Sequence, residues 1–152
     1  MFYKSVIQAL NKQKIRYAVV GGLAVNLHGA TRGTLGMDLI TELTLKNLKS
    51  LEACMKKLGL RPKLPISAED LYHYRQEYID KRNLVAWSFV ASDNPSQVID
   101  IVITHDLCEF ETTVIRAGNV PFTVINKNAL IDMKMQSGRK QDLEDIKALK
   151  KL

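Results

Sequence analysis

Apolar positions recur with helical spacing at Phe2, Val6, Ile7 and Leu10, which predicts a helix over 2–14. The pattern then becomes an unbroken apolar run, Tyr17 to Val20, closed by Gly21-Gly22, and this reads as a buried strand over 16–20, a sharp turn and a short helix over 23–28. A second strand carries Asp38. Thr44 is placed to cap a helix through Leu48, Leu51 and Met55 that ends at Gly59, with Pro62 and Pro65 marking a loop beyond it. Ser67-Ala68-Glu69-Asp70 opens the next helix with acids in its first turn, and Tyr72, Tyr74 and Tyr78 read as its core and boundary residues. Strands at 83–91 and 97–104, joined by Ser92-Asp93-Asn94-Pro95-Ser96, predict an antiparallel hairpin with Asp100 on its second strand. Shorter segments at 112–116 and 121–125 flank the turn Ala117-Gly118-Asn119. Asn126 is placed to cap a helix that Ser137-Gly138 breaks, and a last helix follows from 139 to about 150. With no repeat, linker or low-complexity stretch, the expectation is one α/β (α+β) domain over 1–152, with a mixed central sheet flanked by helices.

Composition narrows the class. At 152 residues and 46% hydrophobic content, the chain can bury a core without help from disulfides or metal. No apolar run reaches transmembrane length, and the start Met1-Phe2-Tyr3-Lys4 lacks a signal peptide's apolar block, so a cytoplasmic protein with no membrane partner is expected. Cys54 and Cys108 have no His or Cys at metal spacing and read as reduced thiols. The net charge of +6 allows a polyanionic partner. The basic clusters sit at helical spacing and read first as solvated faces, with steering of a nucleotide or an RNA acceptor as the alternative. Aromatic residues, 7% of the chain, do not interleave with those clusters, which argues against a stacking platform for single strands.

Candidate chemistry lies at three places. The Gly21-Gly22 turn leaves backbone N–H groups open to an anion, and Asp38 on the strand that follows can hold a cation beside a bound polyphosphate. In Val98-Ile99-Asp100-Ile101-Val102 an acid interrupts a β-branched run, which is costly unless the acid is paired or metal-bound. Structural alternatives stand beside each: the glycines as a plain turn, Asp38 ending a strand, Asp100 paired to a buried arginine, and His28 capping a helix C-terminus. Arg32 and Thr34 share the loop before Asp38, where they can meet phosphate or brace the cleft, and Arg32 can equally pair with Asp38. Asp142 and Asp145, three apart on one helix face, are expected to pair with Arg139 or Lys140.

Together with Leu130-Ile131-Asp132-Met133-Lys134 and the following Arg139 to Ile146, these segments resemble the nucleotidyltransferase superfamily, the DNA polymerase β-like fold. The resemblance runs from about 17 to about 149 and is nearest to small prokaryotic members related to the abortive-infection type nucleotidyltransferases. It implies transfer of a nucleoside monophosphate from an NTP to a hydroxyl of a protein, an RNA or a small molecule, with Mg2+ or Mn2+. Asp38 and Asp100 match the second and third catalytic, metal-binding acids, and Gly21, Gly22, Arg32, Thr34 and Lys134 the nucleotide-binding positions. The resemblance also places Lys134 and Arg139 near the cleft. One position departs from it: Gly36 stands where the first acid of an Asp-x-Asp pair is expected, two residues before Asp38 and on the same strand face. Glu42 does not replace it, because four residues along a strand is about 13 Å. That departure supports a second reading, a catalytically impaired nucleotide-binding or antitoxin-like regulatory relative.

Overall fold

The computed structural model describes residues 2–152. Its helices are α1 (Phe2–Lys12), α2 (Gly21–Leu27), α3 (Leu45–Lys57), α4 (Ala68–Arg82), α5 (Lys127–Ser137) and α6 (Lys140–Lys150). The strands are β1 (Tyr17–Val20), β2 (Met37–Thr41), β3 (Leu60–Pro62), β4 (Ala86–Ala91), β5 (Val98–Val102), β6 (Thr112–Ala117) and β7 (Val120–Ile125). They form one sheet in the order β3-β4-β5-β2-β1-β7-β6. It is mixed as expected: β2 runs parallel to β5 and β1 parallel to β7, while the other neighbours are antiparallel.

Alternation along the strands decides which side chains meet the core. Met37 and Leu39 of β2, Ile99 and Ile101 of β5, and Trp87 and Phe89 of β4 are register partners, hence on one face, and all are buried. On the other face of β4 and β5, Ala86, Ser88, Val90, Val98, Asp100 and Val102 are only half-buried. This half of the sheet is therefore an open ledge with Asp100 at its centre.

Local expectations held at the caps of α3 and α4. Thr44 accepts from the Asn47 N–H, and Ser67 and Asp70 form a reciprocal capping box. Elsewhere the structure corrects the sequence reading. Helix α2 begins at Gly21 itself, directly off β1, so the glycine pair is the helix's first turn and not a separate loop. The stretch up to Pro62 is an edge strand paired with β4, a position where proline's missing N–H does no harm. Asn126 stands at the start of α5, but its side chain donates to Glu111 and makes no cap. Tyr72 and Tyr74 are about half exposed, because α4 buries only Ala68 and Leu71.

Candidate active site

Asp38 and Asp100 are direct register partners on the adjacent parallel strands β2 and β5. Strands in a sheet lie about 4.8 Å apart and in-register side chains share a face, so the two carboxylates stand side by side. The row extends outward to Val20 on β1 and Ser88 on β4. Ser88 Oγ donates to Asp100 Oδ1 at 2.5 Å, a partner the sequence reading missed because it becomes visible only with the β4–β5 register.

These acids lie in a cleft of about 710 Å3, bounded on one side by Val85, Ala86, Val102, Thr104 and His105, and on the other by Leu130, Met133, Lys134, Gln136, Ser137 and Arg139. Burial and the neighbouring Asp100 charge push the Asp38 carboxyl up to about 6, against weaker opposing pulls from Lys134, Arg139 and Arg32. A divalent cation beside the pair would relieve that strain, and two carboxylates supply the oxygen ligands that Mg2+ and Mn2+ favour. Among the described residues no cluster of three or more His, Cys, Asp or Glu side chains could hold a metal. Asp38 and Asp100 would therefore offer such a cation two protein carboxylates, leaving the remainder of its ligands to come from phosphate and water.

Gly21 has φ +68, and a Cβ there would lie 2.3 Å from Asp38 Oδ2, so the carboxylate rests against a position that admits no side chain. Gly22 makes room in the same way for Arg32 and Thr34, whose Nη1 and Oγ1 would sit 2.4 and 3.1 Å from its Cβ. Thr34 Oγ1 in turn donates to the Gly36 carbonyl at 3.1 Å. Arg32 pairs through Nε with Asp145, 3.2 Å away, and makes no ion pair with Asp38.

Asp145 belongs to a buried charge cluster joining α5 to α6. Lys134, 5% exposed, reaches Asp145 at 2.9 Å and Asp142 at 3.4 Å, and Arg139 reaches Asp142 at 2.9 Å. Burial alone would raise both carboxyls. The hydrogen bonds and charge of Arg139 with the Lys134 charge at Asp142, and the Lys134 and Arg32 charges with the Gln141 hydrogen bond at Asp145, together outweigh it and hold both below the ordinary value. The Arg139–Asp142 pair matches the sequence expectation, whereas Lys134 and Arg32 as partners of these acids come from elsewhere in the chain. Glu42 lies outside the cleft and pairs with Arg16 at 3.8 Å. His28 closes α2 with its ring Nε2 2.7 Å from the Ile125 carbonyl.

No family model and no curated protein matches the sequence. Solved structures do. The chain superimposes on a candidate nucleotidyltransferase of Thermotoga maritima with a TM-score of 0.63 at 12% identity, covering 96% of this chain and 88% of the other. It superimposes on ANT(2")-Ia in complex with adenylyl-2"-tobramycin with a TM-score of 0.61 at 14% identity, covering 95% and 83%. The lincomycin-bound lincosamide antibiotic adenylyltransferase LnuA gives 0.61 at 13% identity, covering 98% and 93%. The chain has the nucleotidyltransferase fold.

Proposed function

We propose that the chain is a nucleotidyltransferase, moving a nucleoside monophosphate from an NTP to a hydroxyl acceptor with Asp38 and Asp100 as its catalytic, cation-holding pair. The observation that supports this most is the in-register placement of those two acids on adjacent strands, at the floor of a cleft in this fold. A Mg2+ or Mn2+ ion bound there would supply charge neutralisation of the triphosphate and a more acidic acceptor hydroxyl. Arg139 stands at the rim with most of its side chain exposed, in reach of a phosphate while its Nε stays on Asp142. Gly21, Gly22, Arg32, Thr34 and Lys134 are the proposed nucleotide-binding set. In it, Arg32 and Lys134 act mainly through the field they set up, since both are engaged with Asp145.

The acceptor side of the cleft favours a small molecule. Val85, Ala86 and Val102 offer an apolar surface there, and across the cleft Asp142 is already neutralised by Arg139 and Lys134. No cleft carboxylate beyond the cation pair is free to bind ammonium groups, so a neutral or singly charged alcohol fits better than a polycation. We read the protein further as a single-domain, cytoplasmic, prokaryotic relative of the abortive-infection type, a reading that rests on the sequence alone. Gly36 favours the second reading, a relative that binds nucleotide but transfers slowly or not at all.

The test is calorimetric titration with each NTP and Mn2+ or Mg2+, coupled to an assay of pyrophosphate release with lincomycin and tobramycin as trial acceptors. Cation-dependent NTP binding that is lost in Asp38→Asn and Asp100→Asn is expected, with release if the enzyme is competent. Binding without release selects the second reading, and NTP affinity indifferent to cation and to both substitutions overturns the proposal.

A further inference from the structure

Ser88 touches one member of the acid pair, Asp100, directly. It stands opposite Asp100 in the antiparallel β4–β5 register, and its hydroxyl donates to Oδ1 at 2.5 Å. The strand that carries it is firmly seated. Trp87 and Phe89, on either side of Ser88, point to the opposite face, are buried there, and pack edge to face with ring centroids 4.6 Å apart. The Trp87 indole N–H also donates to the Ile66 carbonyl at 3.0 Å. Ser88 itself is half-exposed, as is Asp100, so water could satisfy that carboxylate without it. The hydroxyl is thus not needed to solvate a sealed acid. What it adds is a fixed anchor for one oxygen, while Oδ2 receives no hydrogen bond or ion pair from the described residues.

Resting on the reading of Asp38 and Asp100 as a cation site, we propose that Ser88 is a positioning residue: it pins Asp100 Oδ1 so that Oδ2 is presented to the divalent cation. Its effect is on the ligand's orientation. Fixing a carboxylate rotor before the ion arrives removes a disorder cost that binding would otherwise carry, and partners of this kind typically change metal affinity by about 10- to 100-fold.

The experiment measures Mn2+ affinity of the parent chain, Ser88→Ala, Ser88→Thr, Asp38→Asn and Asp100→Asn by calorimetry at one pH, with melting temperatures alongside. Ser88→Ala should bind Mn2+ about tenfold more weakly or worse. Ser88→Thr, which keeps the hydroxyl, should stay near the parent, and both should melt close to it. Parent-like affinity in Ser88→Ala while the two Asp variants lose binding overturns the role of Ser88 and leaves the acid pair standing. Equal weakening in the Ala and Thr variants overturns it too, because the hydroxyl is then not the cause. Unchanged affinity in all four variants removes the cation site itself.

Discussion

Gly36 lies one residue ahead of β2, in a segment held from two sides: the Tyr3 hydroxyl donates to the Leu35 carbonyl, and Thr34 donates to the Gly36 carbonyl. Its backbone does not require glycine. No left-handed φ occurs there, and the nearest atom to an added Cβ is the Val98 carbonyl oxygen at an ordinary 3.5 Å. This contrasts with Gly21, where both the positive φ and the Asp38 carboxylate forbid a side chain. Gly36→Asp should therefore fold normally and place a third carboxylate beside Asp38. It should tighten Mn2+ binding and raise nucleotidyl transfer on the order of 10²-fold or more, the scale on which electrostatic transition-state stabilisation acts. The check is Mn2+ titration and label transfer for the two proteins side by side, and a folded variant no better than the parent in both would show that the position lies outside the cation site.

The α5–α6 pair owes its geometry to charge as much as to apolar packing. Gly138 turns the chain at φ +61, and the two helices then close on Lys134, Asp142 and Asp145, which are 5%, 1% and 2% exposed. Lys134→Met keeps the length and removes the cation, leaving two buried carboxylates short of their shared partner. Loss of one member of a buried ion pair costs about 3–5 kcal/mol, and a fall of that size in urea-unfolding free energy is expected. A change under 1 kcal/mol would mean that Arg32 and Arg139 alone neutralise the acids. The sequence revealed the break between these helices well, because Ser137-Gly138 is a local signal, although the Asn126 cap it also suggested does not form. It revealed the cluster poorly: Arg32 and Asp145 are separated by 113 positions, and no local rule pairs them. The acid pair was legible as two acids in apolar strands, but Ser88 was not, since a serine in a strand says nothing until the β4–β5 register is known. The edge strand β3 was hidden by its own Pro62, which is tolerated only because the strand lies at the sheet's margin.

At the scale of the whole molecule the two sets of acids respond to pH in opposite directions. Asp142 and Asp145 titrate below the ordinary value, so their contribution to stability is present above it and is lost as pH falls through their folded values. Asp38, raised from 3.8 to about 6, binds its proton more tightly in the native state than in the unfolded chain, so its contribution is complete below 3.8 and is lost as pH rises through 6. Relative to Asp38→Asn, the parent should lose on the order of 2–3 kcal/mol of unfolding free energy between about pH 4 and 7, and Mn2+ above that range should restore part of it. Parallel stability profiles for the two proteins would contradict the raised value. The long-range closure of the charge cluster also has a consequence in time. At a synthesis rate of about 5–20 residues per second, Arg32 leaves the ribosome several seconds or more before Asp145 exists, and Lys134 precedes its acids by about a second. Until α6 docks, Lys134, destined for burial, and the half-buried Arg32 lack their carboxylate partners, so the cleft is completed only once that helix has been made.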